Sequence, residues 1–96
     1  MTAYVIGMVT VTDPSWIEEY GPAVAAQVEA AGGKYIVRDM EMEHLEGSAS
    51  QPSVIVVLEF PDRAAAHAWY DSSDYAPYIK MRQAGSNGDL FLVDGL

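Results

Sequence analysis

The sequence predicts an α+β fold, in which a four-stranded antiparallel sheet carries its helices on one face. Two apolar segments, Ala3–Val11 and Val54–Phe60, have the length and the β-branched content of buried strands. Two helical regions with recognisable N-terminal caps lie between the strands. The resulting order of strand, helix, strand, strand, helix, strand predicts a sheet with the strand order 4-1-3-2.

The segment Val54–Phe60 is predicted to be a strand that is covered on both faces. Successive side chains of a strand point to opposite sides. One face is wholly apolar, with Val54, Val56, Leu58 and Phe60. The other face has Ile55, Val57 and a single charge, Glu59. Because two helical regions can cover only one face of a small sheet, we predict that a second subunit covers the other face in a homodimer.

The residues that follow this strand predict a capped helix and then a second helical start. Asp62 stands at the N-cap, where its carboxylate can accept a hydrogen bond from a free backbone N–H group of the first turn. The alanine-rich segment after it favours a helix. Ser72 is predicted to cap a further helical turn through Tyr75, and this helical region continues to Gln83.

The first half of the chain predicts a strand and an amphipathic helix. Gly7, inside the first strand, indicates either a bulge or the close approach of a helix. Asp13-Pro14 is a cap with proline at the first helical position. Gly21-Pro22 predicts a kink in this helix near Tyr20, and Gly32-Gly33 is predicted to end it.

The second strand is predicted to run from Lys34 to about Glu46, and a short polar turn connects it to the third strand. Pairing of Glu46 with Ser53 places Arg38 and His44 on the same face as Glu59. We therefore expect Glu59 and Arg38 to point into a cavity on the sheet face away from the helices.

The end of the chain is predicted to close the sheet. Asn and Gly in the segment Ser86–Gly88 suit a turn. The last strand is predicted over Leu90–Val93.

The motif EFPDRAAAHAWYDSSDY, residues 59–75, resembles the signature of the bacterial domain-of-unknown-function family 1330. That pattern is Glu-Phe-Pro, a short capped helix that ends in Trp-Tyr, and then Ser-x-x-Tyr. The resemblance extends over nearly the whole chain, although this chain has Asp39-Met40 where the family usually has small residues. It implies a ferredoxin-like βαββαβ domain that pairs into a dimeric α+β barrel, and it implies no established activity.

Composition excludes several classes of function. The formal net charge is −9, from 14 acidic and 5 basic residues, so we expect no binding to nucleic acid or to anionic membranes. The absence of cysteine excludes disulfides and thiolate chemistry, and it fits a cytoplasmic protein. No apolar stretch approaches the ~18 residues of a membrane span. We expect one cytoplasmic domain over residues 1–96.

Three residues are predicted as catalytic candidates: Glu59, Arg38 and His44. A glutamate buried on the dimer face could serve as a general base. It could instead form a structural ion pair with Arg38, or lie at a strand end that reaches solvent. Arg38 could instead bind a carboxylate or enolate oxygen of a ligand. His44 could act as an acid or base near neutral pH, or it could lie at an exposed strand end beside two glutamates.

Candidate ligand-binding residues are Trp69, Tyr70, Tyr75 and Arg82. The aromatic side chains could line a pocket for a flat ligand, or they could serve core and interface packing. Arg82 could bind the ligand, or it could complement a helix C-terminus. Neither histidine has a partner at metal-ligand spacing, and no phosphate-binding or dinucleotide motif is present, so we expect no metal and no cofactor.

Three functions remain open at this point. One is a cofactor-independent enzyme that acts on a small, mostly apolar carbonyl or phenolic compound, by analogy with enzymes of similar fold. The second is a non-catalytic module that holds a small ligand, and the third is a structural or regulatory dimer. The sequence does not decide whether the protein is an enzyme.

Overall fold

The computed structural model describes residues 1–96 and contains one sheet with all its helices on one side. The four strands are β1 (Ala3–Val11), β2 (Lys34–Asp39), β3 (Val54–Phe60) and β4 (Ser86–Asp94). The helices are α1 (Ile17–Ala30), which follows a short 3-10 turn at Pro14–Trp16, α2 (Arg63–Tyr70) and α3 (Ala76–Ala84). All neighbouring strands are antiparallel, and the order β2-β3-β1-β4 confirms the predicted order.

The two faces of the sheet have different environments. Along β1, the odd-numbered residues from Ala3 to Val9 are buried, and the even-numbered residues between them are only half-buried. The buried side chains pack against the helices in a core that contains Val5, Val24, Val28, Leu58, Phe60, Ala66, Trp69 and Tyr75. The molecule measures 34 × 34 × 17 Å, so one helix layer and one sheet account for its thickness. The face away from the helices is uncovered in the single chain.

Gly7 lies on the helix side of β1 and marks no bulge, since β1 pairs without a register shift with both neighbours. A Cβ atom at this position would lie 2.8 Å from Cγ2 of Val56. The glycine therefore leaves room for a side chain of the neighbouring strand, and not for a helix as the sequence suggested.

Side chains cap the helical segments where the sequence predicts them. Asp13 accepts a hydrogen bond from the Ser15 backbone N–H at 3.0 Å, and this bond lowers the pKa of the Asp13 carboxyl. Asp62 accepts from the Ala65 N–H at 2.8 Å. The Ser72 hydroxyl accepts from the Tyr75 N–H at 3.2 Å and leads into α3.

The C-terminus of α1 confirms the role predicted for the glycine pair. Gly32 has a φ of +89°, a conformation that side chains with a Cβ rarely adopt. The Gly33 N–H then donates to the Val28 carbonyl at 2.9 Å, which satisfies one of the free carbonyl groups at the helix end.

Two strand boundaries differ from the prediction. β2 ends at Asp39 instead of near Glu46, because the Asp39 carboxylate accepts a hydrogen bond from the Glu41 N–H at 2.7 Å and turns the chain away from the sheet. β4 begins at Ser86, which pairs with Val11, so the predicted turn over residues 86–88 is wrong. Gly88 serves close strand packing, since a Cβ there would lie 2.7 Å from the Met8 carbonyl oxygen.

The predicted register of the hairpin is also wrong. Glu59 pairs with Lys34, and Arg38 lies opposite Val56. A β-bulge at Ile36 separates the pair Tyr35–Leu58 from the pair Val37–Val57, and this extra residue exchanges the faces of all later side chains in β2. Arg38 therefore lies on the helix side of the sheet, and Glu59 lies on the open side.

We expect Asp62→Ala to reduce the free energy of unfolding by about 1 kcal/mol, because the first turn of α2 loses its side-chain acceptor. Urea denaturation followed by circular dichroism measures this change. Asp62→Ser is the matched control, since serine also caps a helix and should restore most of the stability. Equal losses in the two variants would contradict a capping role.

Candidate functional site

A cavity of about 310 Å³ lies between the helices and the sheet. Aliphatic side chains of the three longest strands line it on the sheet side, among them Val5, Val9, Val56, Leu58 and Leu90. Aromatic side chains line it on the helix side, namely Trp16, Tyr20, Trp69 and Tyr75. Such a volume with mostly apolar walls suits a small, flat organic molecule.

Two tyrosine hydroxyls meet at the wall of this cavity. The Tyr20 and Tyr75 oxygens are 2.5 Å apart, and they join α1 to the start of α3. Trp69 stacks on Tyr75 with the ring centroids 4.3 Å apart, and Trp16 contacts Tyr20 edge-on at 5.0 Å. The aromatic packing holds both hydroxyls in place.

Tyr20 and Tyr35 line the cavity as hydrogen-bond donors and not as bases. Burial raises the pKa of Tyr20 far above its ordinary value, and the neighbouring Tyr75 adds to this rise. Burial also raises the pKa of Tyr35, again with a contribution from Tyr75. Both phenols therefore stay protonated over the whole working range of pH.

Arg82, in the last turn of α3, places a buried guanidinium group at the cavity. Only 6% of its surface is exposed, and its Nε atom has no hydrogen-bond partner. The three ion pairs of the protein join Lys34 with Glu59, Arg63 with Asp94, and His67 with Asp71, and none includes Arg82. Burial acts to lower the pKa of Arg82, but the Tyr75 and Tyr20 hydroxyls outweigh it and the pKa rises. The group stays positive.

Arg38 lines the same cavity from the exposed edge strand β2. Its guanidinium carbon lies 5.0 Å from the centroid of the Tyr35 ring, a cation–π arrangement. Arg38 therefore stands at the open end of the cavity, while Arg82 is buried within it.

The other two catalytic candidates lie elsewhere. Glu59 projects from the open face, where one carboxylate oxygen is 3.7 Å from the Lys34 ammonium group. His44 lies in the exposed segment after β2, and its Nε2 atom is 2.7 Å from the Gly47 carbonyl oxygen. The predicted juxtaposition of Arg38 with Glu59 is wrong, because the two side chains lie on opposite faces of the sheet.

Three of the four predicted ligand-binding residues lie at the same cavity. Trp69, Tyr75 and Arg82 line the cavity, whereas Tyr70 borders a separate, shallower groove beside β4. Sequence reasoning missed Tyr20 and Tyr35 as site residues. The available signal was their polar hydroxyl group at positions that otherwise pack against the core.

The lining of the cavity contains no aspartate, glutamate or histidine. Across the whole chain, no group of three or more such residues is placed to hold a metal ion. No helix has both the length and the apolar character needed to cross a membrane.

The fold and the site define a class of protein. It is a ferredoxin-like α+β domain with an antiparallel sheet, an aromatic cavity between sheet and helices, and an uncovered second face. The chain belongs to the family described as domain of unknown function DUF1330, whose model matches residues 2–96. None of the curated proteins matches the chain.

Solved structures share this fold at low sequence identity. A protein of unknown function from Rhodopseudomonas palustris has a TM-score of 0.82 and 18% identity, over 99% of this chain and 82% of the other. SnoaB, a cofactor-independent oxygenase from Streptomyces nogalater, has a TM-score of 0.71 and 16% identity, over 99% and 93% of the two chains. An antibiotic biosynthesis monooxygenase has a TM-score of 0.55 and 19% identity, over 100% and 99%.

Proposed function

We propose that the protein is a cofactor-independent enzyme that acts on a small, mostly apolar carbonyl or phenolic compound in the cavity between sheet and helices. The observation that carries this proposal is the cavity itself. Its aliphatic floor and aromatic walls suit the body of a flat ligand. The paired hydroxyls of Tyr20 and Tyr75 provide a polar group that can orient a ligand oxygen.

The similarity to SnoaB supports this proposal at the level of the fold. SnoaB is a cofactor-independent oxygenase, which supports the proposal that this domain acts without a bound cofactor. A shared fold does not by itself establish a shared activity, so the proposal depends on the residues of this cavity.

A specific observation favours a second function, the binding of the same compounds without turnover. No carboxylate or imidazole lines the cavity, and burial raises the pKa of Tyr20 and Tyr35, so neither of these phenols can serve as a general base near neutral pH. An enzyme with this lining would need a substrate that ionises readily by itself.

Phenols, quinones and small aromatic carbonyl compounds are expected to raise the melting temperature of the purified protein. A ligand that binds only the folded state at 100 times its dissociation constant contributes about 2.7 kcal/mol. Both tryptophans of the chain line the cavity, so quenching of their fluorescence reports binding directly. Consumption of dissolved dioxygen with the bound compounds then separates an oxygenase from a binding module.

Val54→Phe is expected to abolish these shifts, because Val54 lines the cavity and the larger side chain occupies part of its volume. Glu59→Gln is the control, since Glu59 lies on the open face and should leave binding unchanged. Failure of every compound to bind, or equal binding by the filled variant, would contradict the proposed function.

We also propose that two copies of the chain pair through their open sheet faces. Apolar side chains lie on this face in all four strands, including Ile6, Val37, Ile55, Val57, Phe91 and Val93. Phe91 is 52% exposed and Val37 is 40% exposed in the single chain. A contiguous apolar sheet face of this extent is typical of a protein interface.

A further inference from the structure

We propose that the ligand of this cavity binds as an anion, with an ionised oxygen of a carboxylate, phenolate or enolate group on Arg82. This inference rests on the proposed function and specifies the chemistry of its ligand. The ligand would place its apolar body against the sheet and its negative oxygen beside the guanidinium group and the tyrosine pair.

The buried Arg82 has no counter-charge within the protein. A guanidinium group that is almost completely buried is normally paired with a carboxylate, because an isolated charge in the protein interior is costly. Arg82 has no such partner, and its Nε atom is buried without a hydrogen bond. An anionic ligand would supply the missing charge and the missing acceptor together.

The charge of the cavity differs from the charge of the protein as a whole. The whole chain carries a formal charge of −9 and has 5 basic residues. Two of these basic residues, Arg38 and Arg82, line the cavity, and no acidic residue does. The cavity is therefore positive within a strongly negative protein, and this contrast favours an anion over a neutral or cationic ligand.

The Tyr20 and Tyr75 hydroxyls are hydrogen-bond donors beside Arg82. In the hydrogen bond between Tyr20 and Tyr75, one hydroxyl donates and the other accepts. When Tyr75 donates, the Tyr20 hydroxyl keeps its own proton, and this proton is available to a ligand oxygen because Tyr20 is only half-buried whereas Tyr75 is fully buried. One guanidinium group and one phenol O–H can thus hold the same oxyanion, which is the arrangement that stabilises a phenolate or an enolate.

The β-bulge in β2 also favours an anionic ligand. The extra residue at Ile36 turns Arg38 from the open face to the cavity side, where it stands at the entrance. A partly exposed charge at an entrance attracts an opposite charge during the encounter, whereas a buried charge holds the bound ligand. We therefore assign the capture of the anion to Arg38 and its retention to Arg82.

The test uses the unmodified protein with 7-hydroxycoumarin and with coumarin, which lacks the acidic hydroxyl. The anion of 7-hydroxycoumarin absorbs at longer wavelength than the neutral form, so its absorption spectrum reports the bound state. At a pH where the free compound is mostly neutral, we expect the bound compound to show the spectrum of the anion. We also expect it to bind at least about tenfold more tightly than coumarin, as a charge-assisted hydrogen bond would require.

Each outcome distinguishes the two proposals. Binding of both compounds with similar affinity, and a neutral spectrum for the bound hydroxycoumarin, would overturn the anion inference and leave the proposed function intact. Failure of both compounds to bind would contradict the proposed function and the inference with it.

Substitutions of single arginines test where the anion binds. Arg82→Met is expected to remove the tenfold preference, because the hydroxycoumarin dissociates faster once its counter-charge is lost. Arg63→Met is the matched control, because Arg63 pairs with Asp94 outside the cavity and its loss should change neither affinity. Arg38→Met should slow association and weaken its dependence on salt. Retention of the preference in a folded Arg82→Met protein would overturn the inference. Arg82→Gln, which also removes the charge but keeps a polar side chain, provides the same test if methionine prevents folding.

Discussion

Val57→Asp is expected to convert the protein from a dimer to a monomer or to prevent its folding. Val57 lies at the centre of the open face, between Ile6 of β1 and Val37 of β2. In a dimer formed by this face, an unpaired carboxylate would be buried in each copy, at a cost on the order of 3–5 kcal/mol for each charge. Because the interface of a symmetric dimer contains the residue twice, the effect is doubled.

Sedimentation equilibrium measures the outcome directly. The unmodified protein should have twice the monomer mass of 10.4 kDa at micromolar concentration, and the folded variant should have the mass of one chain. Ala26→Asp, on the exposed side of α1, is the control and should remain dimeric. A monomeric unmodified protein, or a Val57→Asp variant that is as stable and as dimeric as its parent, would contradict pairing through this face.

Gly85→Ala is expected to reduce the free energy of unfolding by about 1–3 kcal/mol or more, the range for overpacking of a rigid site. Gly85 joins α3 to β4, and a Cβ there would overlap the indole ring of Trp16 and lie 2.7 Å from the Asp13 carbonyl oxygen. The Gly85 φ of −113° is open to any residue, so the loss is steric and not conformational. The Gly85 carbonyl also accepts hydrogen bonds from the Thr12 and Asp13 N–H groups, at 2.9 and 3.0 Å.

The same substitution reaches the cavity through Trp16. The Trp16 Nε1–H donates to the Gly85 carbonyl at 3.2 Å, and the indole is part of the cavity wall. We therefore expect weaker ligand binding together with a lower melting temperature. Gly21→Ala is the control, because nothing lies within 4 Å of the added methyl group, and stability should change by less than about 1 kcal/mol. Equal effects of the two substitutions would contradict this account.

Most helices and strands, and the two faces of β1 and β3, could be predicted from the sequence alone. The alternation in Val54–Phe60 separates a helix side from an open side, and the caps at Asp62 and Ser72 define where α2 and α3 begin. These features depend on residues close together in the chain. The strand order followed as well, because few arrangements of these elements cover one face of a small sheet.

The set of side chains that share the cavity depends on long-range packing, which the sequence pattern does not show. Tyr20 and Tyr75 are 55 positions apart, and no local pattern shows that their hydroxyls meet. One extra residue at Ile36 exchanges the faces of β2 and separates Arg38 from Glu59, since side chains alternate with a period of two. The burial of Arg82 without a carboxylate is likewise a property of the packed helices and sheet, because a charge near a helix C-terminus is equally compatible with exposure to water.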